Sequence, residues 1–382
     1  MKLLIPAAAG VEATVKRQLI KLGYGECPAV NGRISLNGDW RDVARLNVFL
    51  RSGERVLLSL AEFPARTFDE LYEGVAAIAW EEYLTPYAHI LLDGKCVRST
   101  LMAVKAAGGV AKKAIVNRLR EKLGVRNLDE TGERAIVGIS LVDDIATVTL
   151  DTSGDGLHKR GYRVLSYEAP LRETTAAAML DLSFFRADKP FADVFCGSGT
   201  LPIEAAMLAL GIAPGAHRDF DFTRWKGVPD VLAEAREEAE DMRRRDIVPD
   251  IFAGDLSPKA VSVARFHAER AGVARYIRFA VADMRNFTSS ERYGILMSNP
   301  PYGERLNHGE DLSALYRDFS VMFRRLPDWS CYFLTSFRGA ERAFGKRADK
   351  NRKLYNANLE CYYYSYLGKK PPKAADNGTV KG

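Results

Sequence analysis

Four short stretches carry residue types that could do chemistry: DVFCGSGT (193–200), AGDLSP (253–258), VADMRNF (281–287) and SNPPYGERL (298–306). Each follows an apolar run, so each reads as the turn that leaves a core strand. Asp255 and Asp283 then stand where a carboxylate can accept hydrogen bonds from ribose hydroxyls and from an adenine amine. Each aspartate alone also reads as a helix N-cap, the plainer role for this residue type at a strand–helix turn. In ILMSNPPYGERL, Ile295, Leu296 and Met297 end a strand, because Pro300 and Pro301 cannot donate to a sheet ladder. The result is a stiff turn carrying the amide of Asn299 and the ring of Tyr302.

The turn Cys196-Gly197-Ser198-Gly199-Thr200 would let backbone approach a ligand at a helix N-terminus, where free N–H groups and the dipole favour an anion. It is not a GxGxxG fingerprint, since Leu201-Pro202 follow, and not a P-loop, since no GK[ST] follows. No histidine lies near Cys196 in sequence, which makes it a structural loop thiol rather than a nucleophile.

The elements that must position these residues alternate strand and helix from about 160 to 368, the pattern of a doubly wound parallel sheet. In the helix after Gly199, Ile203, Ala206, Met207 and Leu210 point inward. The interval from Asp193 to Asp255 is long for adjacent strands. The excess, about 211–250, reads as a surface insertion extending a crossover helix, or as an RNA-facing flap with Phe220, Phe222 and Trp225 as stacking side chains. Upstream, residues 1–55 read strand–helix–strand–helix. Residues 56–155 read as a small mixed α/β module closing with two strands joined at Asp143-Asp144.

With 382 residues, 47% hydrophobic and 27% charged, the chain is an ordinary globular protein of two or three domains. No apolar run approaches the ~20 residues of a membrane span. Five scattered cysteines form no CxxC pair, which speaks against zinc or a disulfide framework and for a cytoplasmic location. The net charge of +6 permits a nucleic-acid partner. Between Lys95 and Arg126 the cations far outnumber the single acid Glu121. The spacing predicts a helix bounded by Gly108-Gly109 and Gly124 that presents Lys112, Lys113 and Arg120 to solvent. A second basic cluster runs from Arg338 to Lys353. The bland reading of each is a solvated face; two together favour a phosphate backbone. HKRGYR (158–163) reads equally as interdomain glue or an RNA contact.

The four motifs, with HKRGYRVLSYEAPLRETTAAAML (158–180) ahead of them, resemble those of class I S-adenosylmethionine-dependent methyltransferases. NPPY resembles the subgroup that methylates exocyclic base amines. The whole chain resembles the THUMP-domain RNA methyltransferases, nearest the bacterial 23S ribosomal RNA guanine-N2 group. KLYNANLEC is similar to that group's KLYNG stretch, with Ala357 where the glycine stands. The resemblance implies a ferredoxin-like subdomain (1–55), a THUMP RNA-binding domain (56–155), a Rossmann-like domain with a seven-stranded, mostly parallel sheet (156–368) and a disordered tail (369–382). It implies S-adenosylmethionine as cofactor, with Asp193, Cys196, Gly197, Gly199 and Thr200 at its methionine end. Asp255 would hold the ribose and Asp283 the adenine, with Glu173, Thr174 and Asn299 in the same pocket. Asn299 and the Pro300 carbonyl would accept from the target amine, Pro301 would stiffen the turn, and Tyr302 would stack on the base. Lys112, Lys113, Arg120, Lys159 and Arg160 would contact RNA, ribosomal in preference to transfer RNA. No metal, no membrane and a monomer are expected.

Overall fold

The computed structural model describes residues 1–30, 32–165, 170–301, 312–357 and 359–371. The chain forms two compact units, one of residues 1–161 and 212–243, the other of 162–211 and 244–382.

The first unit is built on a seven-stranded sheet. Its strands are β1 (Lys2–Pro6), β2 (Ala29–Val30), β3 (Arg33–Asn37), β4 (Leu57–Pro64), β5 (His89–Val97), β6 (Arg134–Val142) and β7 (Ile145–Asp151). The order is β2-β3-β1-β4-β7-β6-β5. All neighbours are antiparallel except β5 and β6. Because β1 pairs with β4, the segments read separately as 1–55 and 56–155 share one continuous sheet. Asp143 and Asp144 turn β6 into β7 with φ of 52° and 61°, the two left-handed residues of a tight hairpin. Helices α1 (Glu12–Lys21), α2 (Trp40–Phe49), α3 (Phe68–Ala76) and α4 (Val104–Leu123) supply the apolar faces. Asp39 and Thr67 begin α2 and α3 with reciprocal capping boxes.

Helix α4 starts four residues before Gly108, so the glycine pair lies inside it and not at its boundary. A run of Ala107, Ala111, Ala114, Ile115 and Leu119 against the core holds the helix through the two poor helix formers. Gly124 ends it in the left-handed conformation, φ 68°.

The long interval after Asp193 also departs from expectation. Residues 212–243 belong to the first unit, not to the crossover of the parallel sheet. Helix α7 (Leu232–Asp241) pairs with α2 through Arg45–Glu238 at 2.8 Å and Arg41–Glu234 at 3.2 Å. Phe220, Phe222 and Trp225 are 2%, 0% and 4% exposed, so they cannot stack on RNA. Phe222 stacks on Trp40 with centroids 6.3 Å apart, Trp225 meets Trp40 edge-on, and the Trp225 indole donates to the Arg134 carbonyl. These aromatics are core.

The second unit holds β8 (Phe191–Asp193), β9 (Ile251–Asp255), β10 (Ile277–Val281), β11 (Ile295–Ser298), β12 (Ser330–Thr335), β13 (Lys350–Asn356) and β14 (Leu359–Tyr366). Their order is β10-β9-β8-β11-β12-β14-β13, parallel from β10 to β12 and antiparallel at β14 and β13. Helices α5 (Glu173–Leu182), α6 (Thr200–Ala209), α8 (Pro258–Arg270), α9 (Leu312–Phe323) and α10 (Ala340–Phe344) complete it. Phe319, Phe333, Phe344 and Tyr366 dominate one side of its core. The order reverses between β8 and β11, so their carboxyl ends open onto a crevice, the place where such sheets bind ligands.

Candidate active site

Strands β8, β9 and β11 end at or immediately before Asp193, Asp255 and Asn299, and Asp283 follows β10 by two residues. These four residues line one cleft of about 520 Å³ with Cys196, Gly197, Thr200 and Pro301. Parallel pairing brings them together, since register places every strand's carboxyl end on the same edge.

Asp193 is 1% exposed. Its Oδ1 accepts from the Ser298 hydroxyl at 2.7 Å and the Phe195 N–H at 3.1 Å. Burial, with Asp255 nearby, pushes its carboxyl up to about 7. Asp255 accepts from the N–H groups of Gly197 and Ser257, both at 2.9 Å. Neither carboxylate has an ion-pair partner among the described residues. A ligand with a cationic end fits such a pair.

The two glycines of the turn do different work. Gly199, at φ 85°, would bring a Cβ to 2.9 Å from the Ala264 Cβ, so its lack of a side chain lets α6 pack on α8. Gly197, at φ 51°, has nothing within 4 Å of an added Cβ and leaves open space beside the backbone. The buried Cys196 thiol is pushed well up by burial and the two aspartates, which removes any nucleophilic character.

Asp283 caps the Arg285 N–H at 2.9 Å and also pairs with its guanidinium at 2.7 Å, which holds its carboxyl below the usual range. Arg285, inside the VADMRNF stretch but given no role there, is therefore a cleft residue, as is Asp318 on α9, 3.7 Å from it. Asn299 presents an amide oxygen that is buried and has no hydrogen-bond partner among the described residues. A buried acceptor left unpaired costs stability comparable to a lost hydrogen bond. Pro300 is buried behind it, and Tyr302 lies outside the described residues.

Glu173 and Thr174 are buried at the start of α5 and are not among the residues that line the cleft. Lys113 and Arg120 are exposed on α4, while Lys112 pairs with Glu130 at 2.7 Å. Lys159 is exposed and reaches Asp155 at 3.4 Å. Arg160 departs from expectation: it is 6% exposed, and its guanidinium donates to the carbonyls of Leu157 and Arg51. A fully engaged, buried guanidinium holds a loop and does not meet a phosphate.

A model of the RMKL-like methyltransferase domain matches residues 160–365, a ferredoxin-like domain model residues 2–57, and a THUMP domain model residues 65–151. The chain is 41% identical over 374 residues to a Bacillus subtilis (strain 168) protein, "Putative RNA methyltransferase YpsC", with 97% of each chain covered. The chain belongs to the RMKL-like methyltransferase family. A crystal structure of SMU.472, "a putative methyltransferase complexed with SAH", superposes with a TM-score of 0.89 at 39% identity, covering 97% of this chain and 99% of that one. A structure from Listeria monocytogenes str. 4b F2365, of "a predicted N6-adenine-specific DNA methylase", gives a TM-score of 0.90 at 42% identity, covering 96% of each. This family member is thus an S-adenosylmethionine-dependent methyltransferase of nucleic acid, preceded by ferredoxin-like and THUMP domains. No described helix is long and apolar enough to cross a membrane.

Proposed function

We propose that this chain methylates an exocyclic base amine of RNA, with guanine N2 of 23S ribosomal RNA as the foremost target. The observation that carries the reading is the buried, unpartnered Asn299 oxygen in a cleft floored by Asp193 and Asp255. The THUMP match supports RNA over DNA, and the exposed cations of α4 suit a nucleic-acid phosphate backbone. S-adenosylmethionine supplies an electrophilic methyl on a cationic sulfur. Asp193 and the open backbone at Gly197 would hold its methionine end, where the cationic ammonium offsets the two aspartates. Asp255 would hold the ribose, and Asp283 the adenine amine once Arg285 yields it.

The Asn299 Oδ1 and the Pro300 carbonyl accept from the base amine. They aim its lone pair at the methyl group and stabilise the positive charge that develops on nitrogen. The incoming N–H groups satisfy the orphaned oxygen, so part of the stability forgone in the free protein is recovered on binding. No nucleophile from the protein is required, because the base amine itself attacks the methyl carbon, the thioether leaves, and the amine loses its proton during or after transfer; positioning carries the rate. Tyr302 is assigned the face of the base. The same clamp admits adenine N6, or guanine N2 in transfer RNA. A non-catalytic ribosome-assembly role is the rival of a different class.

Asn299→Ala should lower turnover by ~10²–10³-fold, the cost of losing one preorganised acceptor. Calorimetric binding of S-adenosylhomocysteine should stay within about twofold of wild type. Retained turnover would remove Asn299 from the mechanism. Nucleoside mass spectrometry of 23S and transfer RNA from a deletion strain should show a single lost N2-methylguanosine. Loss of N6-methyladenosine selects the adenine reading, and no loss in any RNA selects the assembly role.

A further inference from the structure

HKRGYR divides at the boundary between the units: His158 to Gly161 fall in the first, Tyr162 and Arg163 in the second. Arg163 has no role in the assignments above, yet its side chain is only 18% exposed. Its Nη2 donates to the Leu171 carbonyl at 2.8 Å and to the Thr200 hydroxyl at 2.7 Å, and stands 3.3 Å from Glu173 Oε1. Leu171 and Thr200 both line the cleft, one before α5 and the other as the first residue of α6. Neighbouring residues reinforce the same grip. The Tyr162 hydroxyl donates to Glu204 on α6 at 3.3 Å. The Leu165 N–H donates to His267 Nε2 at 3.3 Å, so the ring's proton sits on Nδ1 and is directed at the Ser198 carbonyl, 3.1 Å away. Asn356, at the end of β13, accepts from the Arg172 N–H at 3.3 Å and braces the far side of the wall.

We propose that Arg163 is the positioning residue of the cofactor cleft, tying the first turn of α6 to the Pro170–Leu171 wall and thereby setting the cleft's width. The proposal deepens the cofactor assignment and rests on it. Leu171, Thr200 and Glu173 all face one nitrogen, Nη2, while Nε is buried without a hydrogen-bond partner among the described residues. The stiff planar group holds that nitrogen at full reach, which an ammonium on a shorter, flexible stem does not. Glu173 is then the counter-ion that keeps Arg163 in place. That accounts for an upstream motif residue that is buried behind the cleft and not in it.

The test uses the full chain and S-adenosylhomocysteine. Arg163→Lys keeps the charge beside Glu173 and should unfold cooperatively within a few degrees of wild type. Its calorimetric Kd should rise about thirtyfold, with KM for RNA unchanged. Thr200→Val, which removes one hydroxyl at constant volume, should raise Kd about tenfold. The double variant should be no worse than Arg163→Lys alone, because both cut the same tie. A purely structural ion pair would lower Tm and leave the affinity of the folded protein untouched. Wild-type affinity in a folded Arg163→Lys overturns the proposal, as does wild-type affinity in Thr200→Val should the lysine variant not fold. Failure of the wild-type protein to bind S-adenosylhomocysteine instead overturns the cofactor assignment and this proposal with it.

Discussion

The candidate cleft of the second unit and the aromatic cluster of residues 220–225 in the first are built on different terms. In the cleft, a buried carboxylate lacks a cation among the described residues, and a buried amide oxygen lacks a donor. In the cluster, Phe222 is fully buried against Trp40 and Phe220, and Asp221 is paired with Arg134 at 2.7 Å. In the cleft the unmet polar demand belongs to acceptors that line a cavity a ligand can enter. In the cluster Asp221 is paired, and the buried Arg218 Nη1 beside Phe220 is left without a hydrogen-bond partner among the described residues. A buried, unsatisfied polar atom marks a site where it also lines a cavity, as the Asn299 oxygen does.

The contrast can be broken by three further measurements. The largest effect belongs to the cluster. Phe222→Ala should cost about 3–5 kcal/mol in denaturant unfolding, as expected for a fully buried ring, while the folded fraction keeps its affinity for S-adenosylhomocysteine. A loss below about 1 kcal/mol would mean the cluster is surface after all.

Asp193→Asn should act in the opposite direction. The folded chain holds the Asp193 proton up to about pH 7, whereas an unfolded aspartate releases it near pH ~4. Between those values the folded state binds more protons than the unfolded, so this residue makes stability fall as pH rises, and the penalty is complete above 7. Asparagine still accepts from Ser298 and Phe195 and carries no charge. At pH 8 it should raise stability by about 2–4 kcal/mol and weaken cofactor binding at least about tenfold; at pH 4 the stability gain should vanish. An unchanged unfolding free energy at pH 8 would sink the idea that the cleft stores unmet charge.

The smallest effect tests backbone strain at the edge of the catalytic unit. Ala357 sits at φ 54°, a region that disfavours a Cβ. Ala357→Gly should add ~0.5–1 kcal/mol to stability without altering turnover. A destabilised glycine variant would show that no strain is held there.

Much of the cleft was legible in sequence because its signals are local. Glycines, prolines and acids immediately after apolar runs mark strand ends, and parallel pairing then gathers strand ends onto one edge without further information. Helix limits were less legible at α4, where Gly108-Gly109 read as the start but burial of Ala107 and Ala111 carries the helix back to Val104. The aromatic insertion misled because Phe220, Phe222 and Trp225 look alike whether a base or a tryptophan faces them. Only Trp40, some 180 residues earlier in the chain, distinguishes the two. Arg160 and Arg163 make the same point at close range. They are three residues apart in one basic motif, and one is bound to loop carbonyls while the other spans the cofactor wall.

By itself, then, the sequence determined the doubly wound catalytic sheet, the acids and amide on its carboxyl edge, and the chemistry those groups can perform. The sheet and its edge residues follow from residue type and strand–turn–helix spacing, and the chemistry from the resemblance of the four motifs to a methyltransferase family. Tertiary structure decided which unit claims residues 212–243, which arginines are buried and which exposed, and which polar atoms remain unpaired. Those outcomes depend on partners distant in the chain, and burial is a property of the packed fold that no local pattern contains.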